Sequence, residues 1–429
     1  MSDTLLPAGW RRTTLGEAVE LFNGKAGGTG GTWLRVFKTR HVYDGFLRLS
    51  DPAFAPDDRA SDVAIRTHLR SGDTLTPNMA HGTIGRVAFV REAAPNWTVD
   101  GQIMVLRPKD SSVIGRYIFD WMSRPESKRL LANLEKGGAF DELRGQTHIY
   151  RNDVALIPLL LPPLPEQRKI AAIFSSVDDA IEDTRAVIDQ LQVVKKAMMA
   201  ELLTRGLPGR HTRFKQTETG EVPDSWAVER LAAVATVQTG VAKGKNVQHG
   251  VDVPYLRVAN VQDGHVDLSE IKTIAVERGL VGRYSLRAGD VLFTEGGDAD
   301  KLGRGCVWRA QIDPCLHQNH VFAVRTDGNK LLPQFLAYWA ASPGGRAYFL
   351  DCAKQTTNLA SINSTQLKAF PVPLPNLAEQ ARIVDSIDAV DDLIRLEREF
   401  ADHIAGVKAA LMSILLTGEL RVTPDEVTP

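Results

Sequence analysis

The chain has 429 residues, of which 43% are hydrophobic and 24% are charged, and its formal net charge is −1. This is the composition of an ordinary soluble protein, with enough chain for two to four domains. The opening residues lack the basic and apolar segments of a secretory signal, and no run of about 18 apolar residues occurs, so we expect neither a signal nor a membrane span. The three cysteines form no CxxC pair, which excludes a disulfide framework and favours a reducing cytoplasm.

Short runs rich in β-branched and aromatic residues predict the strands of two mixed α/β regions. The clearest runs cover residues 87–90 and 103–106 in the first region and 255–258 and 320–324 in the second. Gly-Asp and Asp-Gly turns separate these strands. A helix is predicted over residues 114–134 and its counterpart over about 331–351, each interrupted by a proline.

Two further segments predict long helices, because their apolar residues recur every seven positions, with a second set offset by three. Pro165 precedes the first helix, and a glycine, Gly206 or Gly418, follows the end of each, as suitable start and stop signals. One interpretation is that each is a core helix of its own domain. Typical globular helices run only about 8–20 residues, so we favour pairing of the two helices with each other, antiparallel if a two-fold relates them. The predicted pairing residues are Ile170, Ile173, Val177, Val187, Leu191, Val194, Ile383, Val390, Leu393, Phe400, Ile404, Val407 and Leu411.

The second half of the chain repeats the first. Gln167 and Gln380 are 213 residues apart (380 − 167), as are Thr204 and Thr417. The matches extend into the globular regions, where residues 70–75 (RSGDTL) resemble residues 287–292 (RAGDVL), whereas the loops between matching segments differ. Because loops carry recognition, two similar scaffolds with unlike loops are expected if each half reads a different target.

This order of elements resembles the DNA-specificity subunit of type I restriction–modification enzymes over nearly the whole chain. The most specific motifs are residues 162–167 (PPLPEQ) and residues 373–375 (PLP) followed by Glu379-Gln380. Residues 254–264 (PYLRVANVQDG), 358–363 (NLASIN) and 415–420 (LLTGEL) are also typical of that family. The resemblance implies an α+β fold in which two similar target-recognition domains are joined by two long antiparallel coiled-coil helices with pseudo-two-fold symmetry.

The boundaries that follow are a first target-recognition domain at 1–161, a first spacer helix at 162–206, a second target-recognition domain at 207–373, a second spacer helix at 374–420 and a tail at 421–429. The family also implies a non-catalytic subunit whose two domains each read one half of a split site in double-stranded DNA. Its helices would set the spacing and hold two methyltransferase subunits, and two restriction subunits would join the full complex. S-adenosylmethionine, ATP and magnesium would belong to those partners, and we expect no cofactor on this chain.

Motifs for other chemistry are weak. The chain lacks the Asn/Asp-Pro-Pro-Tyr/Phe loop of an amino-methyltransferase, and the glycine-rich residues 24–31 do not follow the GxxxxGK[ST] order of a phosphate-binding loop. Cys315, His317 and His320 have no zinc-finger spacing and no evident fourth ligand, so we favour a structural or DNA-facing role for them and predict no metal site. A non-DNA scaffold that joins protein partners, and an enzyme with an unrecognised site, stay open as alternatives.

Base reading requires hydrogen-bond donors and acceptors on loops that reach the major groove. In the first domain the candidates are Lys25, Asn78, His81, Thr83, Arg86, Arg144, Gln146, Thr147 and His148. In the second they are Lys243, Lys245, Asn246, Lys301, Arg304, Lys354, Gln355, Thr356, Thr357 and Asn358. A solvated loop residue is the alternative for each. Arg86 and Arg304 recur beside matching glycines, which suits either a scaffold role or a phosphate contact.

Overall fold

The computed structural model describes residues 6–25, 29–79, 82–136, 147–242, 250–297, 302–356 and 359–423. Its contacts divide the chain into two units: unit 1 is Met1–Arg185 with Glu399–Pro429, and unit 2 is Ala186–Arg398. Both boundaries fall inside a long helix, so each long helix contributes its first part to one unit and its last part to the other. Helices and sheets are mixed in both units, which confirms the predicted α+β class.

The globular part of unit 1 contains ten strands and five α-helices within its described residues. They are β1 (Arg11–Thr14), α1 (Leu15–Ala18), β2 (Val19–Asn23), β3 (Arg35–Phe37), β4 (Gly45–Phe46), β5 (Ala53–Phe54), α2 (Asp57–Thr67), β6 (Thr74–Pro77), β7 (Ala88–Phe89), β8 (Trp97–Val99), β9 (Ile103–Pro108), α3 (Gly115–Ser123), α4 (Pro125–Asn133), α5 (Arg151–Ala155) and β10 (Pro158–Leu161). The predicted helix at 114–134 is therefore two helices, and Pro125 opens the second of them.

A five-stranded sheet of order β2-β9-β6-β7-β4 forms the centre of unit 1, and β5-β3-β8 and β1-β10 form smaller sheets. Helix α3 buries Tyr117, Ile118 and Trp121 in the same core as Met104 and Leu106 of β9. Burial of such large apolar side chains is the main favourable contribution to folding. The core thus fixes the sheet from which the loops of unit 1 emerge.

The first long helix, α6, covers Leu164–Arg205. The globular part of unit 2 then follows with β11 (Phe214–Thr217), β12 (Gly220–Pro223), β13 (Ala227–Arg230), α7 (Leu231–Val234), β14 (Ala235–Thr239), β15 (Val251–Leu256), β16 (Lys272–Val276), α8 (Arg278–Tyr284), β17 (Val291–Thr294), β18 (Gly296–Gly297), β19 (Gly305–Val307), β20 (Leu316–His317), β21 (Val321–Thr326), α9 (Pro333–Ala341), α10 (Pro343–Cys352), β22 (Lys354–Thr356), β23 (Leu359–Ser361), α11 (Ser364–Lys368) and β24 (Pro371–Leu374). The second long helix, α12, covers Leu377–Leu415.

Unit 2 repeats the main sheet of unit 1 in the order β14-β21-β17-β19. Its other sheets are β16-β15-β20, β18-β23-β22, β13-β24 and β11-β12. Helix α9 lies in the core with Trp339 and Phe335 fully buried beside Phe293 of β17. No helix in the described part of the chain combines the length and apolarity that a membrane crossing needs.

The repeated Glu-Gln motif anchors each long helix to its own globular part. In unit 1 the buried carboxylate of Glu166 accepts a hydrogen bond from the indole of Trp10 at 3.0 Å and one from Arg421 at 2.9 Å. The side chain of Gln167 accepts from the backbone of Ile114 at 2.9 Å and donates to the carbonyl of Pro162. Both polar side chains are thereby satisfied away from water, which a buried polar group requires.

Unit 2 repeats these contacts. Glu379 accepts from the indole of Trp226 at 3.3 Å and lies 2.7 Å from the His211 ring, and Gln380 accepts from the backbone of Leu332 at 2.9 Å. The motif is therefore structural, and its recurrence at an offset of 213 residues reflects one anchor used twice.

The two long helices run antiparallel within each unit. In unit 1 the start of α6, at Ile170 and Phe174, shares a core with Leu415 at the end of α12. In unit 2 the end of α6, at Leu203, shares a core with Ile383 at the start of α12. Gly206 and Gly418 end the two helices with a φ of +76° each, a left-handed conformation that glycine adopts without strain.

The predicted pairing residues differ in burial along the helices. Ile170, Ile383 and Val390 are buried, and Ile173, Val177, Leu191, Ile404 and Leu411 are half-buried. Val187, Val194, Leu393, Phe400 and Val407 keep 37–53% of their surface exposed. Helix pairing at these five exposed positions stays a prediction.

Candidate nucleic-acid interface

Three chain segments meet at one end of the main sheet in unit 1. Asn23, the last residue of β2, pairs with Met104 of β9, and Pro77, the last residue of β6, pairs with Ile103. The residues that follow β2 and β6 and those that precede β9 therefore emerge together, because antiparallel neighbours place opposite ends side by side.

The main sheet of unit 2 has the same end. Thr239, the last residue of β14, pairs with Phe322, and Thr294, the last residue of β17, pairs with Val321 of β21. Strand β18 continues from this end and joins β23 through Gly296 and Ser361, which also brings β22 to it.

One backbone frame recurs at both sheet ends. In unit 1 the N–H of Asn78 donates to the carbonyl of Gln102 at 2.9 Å, and the carbonyl of Asn78 accepts from Ile149 at 2.9 Å. In unit 2 the N–H of Glu295 donates to the carbonyl of His320 at 2.9 Å, and the carbonyl of Glu295 accepts from Ile362 at 2.7 Å. We refer to these two sets of positions as the sheet-end frame.

Four of the predicted residues in unit 1 lie at its sheet end. Lys25 is exposed just after β2. Asn78 is buried, and its amide donates to the carbonyl of Gly101 at 3.2 Å. The side chain of Thr147 hydrogen-bonds to that of Glu135, and the backbone of His148 forms an isolated antiparallel β-bridge with Met79. His81, Arg144 and Gln146 lie outside the described residues.

In unit 2 the predicted Lys354, Gln355 and Thr356 form strand β22, which belongs to the sheet at this end. The other predicted loop residues, Lys243, Lys245, Asn246, Lys301, Thr357 and Asn358, lie outside the described residues. The structure therefore places one predicted segment at the sheet end of unit 2.

The repeated arginines and Thr83 make contacts within their own units. Arg304 donates to the side-chain oxygen of Gln262 at 3.0 Å. Such an internal contact is consistent with a scaffold role. Arg86 is half-buried and lines a cavity of about 470 Å³, and its backbone N–H donates to the carbonyl of Thr83 at 3.1 Å. A DNA contact by any of the three stays a prediction.

Among the polar residues of the sheet-end frame, Gln102 and Glu295 were not predicted, and His320 was considered only in a group with Cys315 and His317. These positions carry different residues in the two halves of the chain, whereas comparison of the halves highlights residues that are identical or similar. The signal that would have found them is a mismatch flanked by matching segments on both sides, since such a position keeps the frame and changes its chemistry.

Cys315 and His317 are core residues of unit 2. Both are buried, and burial raises the pKa of the Cys315 thiol to about 12 and lowers the pKa of His317. Nδ1 of His317 lies 2.6 Å from the carbonyl of Val321. Among the described residues, no three His, Cys, Asp or Glu side chains are grouped so that they could hold a metal ion.

The sequence profile of one family matches residues 67–193 and 223–404, which is well over half of the chain; the family is described as the type I restriction modification DNA specificity domain. A specificity subunit of the type I restriction enzyme MjaVIII from Methanocaldococcus jannaschii is 29% identical over 65% of this chain. The EcoKI specificity subunit of Escherichia coli K12 is 25% identical over 72% of the chain. The chain spans 65% and 66% of the lengths of these two relatives.

Solved structures share the fold. A chain from a study of complex assembly and conformational transition in the type I R-M system has a TM-score of 0.58 and 19% identity, and the match covers 97% of this chain and 100% of that one. The type I restriction-modification S subunit from M. genitalium has a TM-score of 0.52 and 11% identity, with 96% and 97% covered. At sequence identities this low, the similarity shows a shared fold and nothing about function.

Proposed function

Because the chain belongs to the family of type I restriction–modification DNA-specificity domains, we propose that it is the sequence-specific DNA-binding subunit of such a complex, and that each unit reads one half of a bipartite site. The observation that carries this proposal is the sheet-end frame. The same backbone hydrogen bonds hold both copies, while the side chains on them differ. A duplicated scaffold with different polar groups at equivalent positions suits a DNA site whose two halves differ in sequence.

We also propose that the long helices bind partner subunits. In unit 2, Val193, Leu393 and Leu396 are 49–62% exposed, and in unit 1 Phe400 is 53% exposed. Leu393 and Leu396 lie three residues apart on one face of the second long helix, and neighbouring large apolar side chains that stay exposed commonly mark a protein–protein interface. Two methyltransferase subunits, with two restriction subunits in the full complex, are the partners that the family implies.

The chain itself is proposed to be non-catalytic, with S-adenosylmethionine, ATP and magnesium held by the partners. The named relatives support this, since they are specificity subunits of restriction enzymes.

The test is to express the full chain with its candidate methyltransferase partner and to map methylated bases genome-wide, with and without this chain. We expect methylation at one split sequence only when the chain is present. Footprinting of the purified complex on that sequence should protect two separated segments of DNA. Co-purification without any sequence-dependent methylation or protection would instead favour a non-DNA scaffold, which the exposed apolar helix residues would also suit.

A further inference from the structure

We propose that Glu295 and His320 form the pair that determines one G·C base pair in the half-site read by unit 2. This inference rests on the proposed function and deepens it by naming residues and the base pair they recognise. Both residues lie on the sheet-end frame, where β17 ends and β21 begins.

The two side chains are accessible and held in place. Nδ1 of His320 lies 2.5 Å from Oε2 of Glu295, and the side chains are 53% and 33% exposed, respectively. The backbone of Glu295 is hydrogen-bonded on both sides, to His320 and to Ile362. A polar pair fixed on strand ends has little freedom to lose when it meets a base, which favours specific recognition.

The repeat argues against a purely structural role for this carboxylate–imidazole contact. In unit 1 the equivalent positions hold Asn78 and Gln102, whose side chains bond elsewhere, to the carbonyl of Gly101 and to Sδ of Met79. The backbone hydrogen bond between the two positions is nevertheless 2.9 Å in both units. The frame therefore forms without the carboxylate–imidazole contact, so that contact is available for another purpose.

The chemistry of the pair fits a G·C base pair. A carboxylate accepts a hydrogen bond from the N4 amino group of cytosine. Nδ1 of His320 faces Glu295, and Nε2 lies 3.3 Å from Nδ2 of Asn319. A guanine contact by His320 therefore uses Nε2–H of the doubly protonated ring, which donates to O6 or N7 in place of the Asn319 contact. Side-chain amides, as found in unit 1, fit adenine instead. Replacing the pair by those of unit 1 should accordingly change which base is preferred, rather than only weaken binding.

The experiment uses the full chain in complex with the partner that co-purifies with it, and selects from a duplex library randomised over both half-sites. We compare wild type with the double variant Glu295→Asn, His320→Gln, which installs the unit 1 side chains. We expect one G·C position in one half-site to lose preference by roughly 5- to 100-fold, since each good base contact contributes about that discrimination. The other half-site should be unchanged.

His265→Gln is the matched control, because His265 is an exposed histidine of unit 2 whose ring is bonded to the carbonyl of Asp263 rather than to Glu295. It should leave the selected sequence unchanged. If the double variant misfolds by circular dichroism, the single variants Glu295→Gln and His320→Gln decide in the same assay.

An unchanged sequence preference in a folded variant would overturn the inference, as would a loss of affinity that is equal for all sequences, since that indicates a phosphate contact or a scaffold role. Failure of the wild-type complex to select any sequence would instead count against the proposed function itself.

Discussion

In each unit a lysine–aspartate pair links the two long helices, and the groups that the globular part contributes around this pair differ between the units. In unit 1, Lys408 donates to Asp178 at 2.6 Å, and Arg116 of α3 bridges Asp178 at 2.5 Å and Asp120 at 3.0 Å. All four groups are largely or fully buried. The joint between the globular part and the long helices of unit 1 is therefore a network of four ionisable side chains.

Unit 2 closes the joint with fewer charges. Lys195 donates to Asp391 at 2.6 Å, and both residues are 213 positions from their counterparts in the other unit. Tyr338 of α9 takes the place of Asp120, and its hydroxyl lies 2.9 Å from Asp391 and donates to Asp388. The comparison shows that the repeat kept the helix-to-helix pair, whereas the groups that the globular part contributes changed from ionic to neutral.

This difference has an energetic consequence. A buried carboxylate that loses its cationic partner leaves an uncompensated charge, whereas a neutral hydroxyl that loses a hydrogen bond leaves a smaller desolvation penalty. The joint of unit 1 is consequently expected to be more sensitive to loss of its partner and to pH than the joint of unit 2.

The largest expected effect is that of Arg116→Ala. At pH 8, above the pKa of Asp120, it should lower the free energy of unfolding of unit 1 by about 3–5 kcal/mol, because the ionised Asp120 stays fully buried without its cation. The equivalent change in unit 2 is Gln334→Ala, which removes a neutral hydrogen bond to Tyr338 and should cost about 1 kcal/mol. Urea titration of the full chain, followed by hydrogen exchange in α3 and α9, measures each unit. Equal losses in the two variants would refute the distinction between ionic and neutral joints.

A second prediction concerns pH and the Asp120 carboxyl. Burial raises the pKa of Asp120 from 3.8 to about 7, against the opposing effect of Arg116. The folded state therefore holds this proton more tightly than the unfolded state, so the contribution of Asp120 is fully present below about pH 4 and is lost as pH rises through about 7. Asp120→Asn should remove this fall, with a difference between the pH profiles of wild type and variant of about 1–3 kcal/mol from pH 4 to pH 8.

The measurement for Asp120→Asn is the same localised hydrogen exchange, repeated across that pH range. Amides of unit 2 serve as the internal control, since Tyr338 replaces the titrating carboxyl there. A parallel change in both units, or identical profiles for wild type and variant in unit 1, would contradict the assignment.

The smallest expected effect is the difference in stability loss between substitution of Lys408 and substitution of Lys195. The side chains of Lys408 and Asp178 are 19% and 18% exposed, whereas those of Lys195 and Asp391 are 26% and 38% exposed. Lys408→Met should therefore cost about 1–2 kcal/mol and Lys195→Met less than about 1 kcal/mol, because solvent screens the more exposed pair. Thermal unfolding at low and high salt measures both, and a larger loss for Lys195→Met would reverse the expected order.

Much of the fold could be predicted from sequence where the signal is local or repeated. The heptad period predicts both long helices, and the structure has them at Leu164–Arg205 and Leu377–Leu415. A proline predicts the break between α3 and α4. Each of these signals depends on neighbouring residues, because helix formation is a matter of local hydrogen bonds and side-chain spacing.

The candidate site was harder to predict. Polarity and loop position favoured residues such as Lys25 and Asn78, and these do lie at a sheet end. The contact between Glu295 and His320 was not predicted, because they are 25 residues apart and become neighbours only when β17 pairs with β21. Strand pairing is a non-local contact, and spacing along the chain does not encode it.

By itself, the sequence determined the duplication, the two long helices and the family to which the chain belongs, since all three are written in residues that recur at constant offsets. Only the tertiary structure decided what the repeated residues do: Glu166 and Glu379 anchor helices on buried tryptophans, while the unmatched Glu295 and His320 meet at a sheet end. The physical reason is that a residue that recurs in both halves of the chain meets a requirement common to both. Burial and cross-strand contacts decide whether that requirement is packing or recognition.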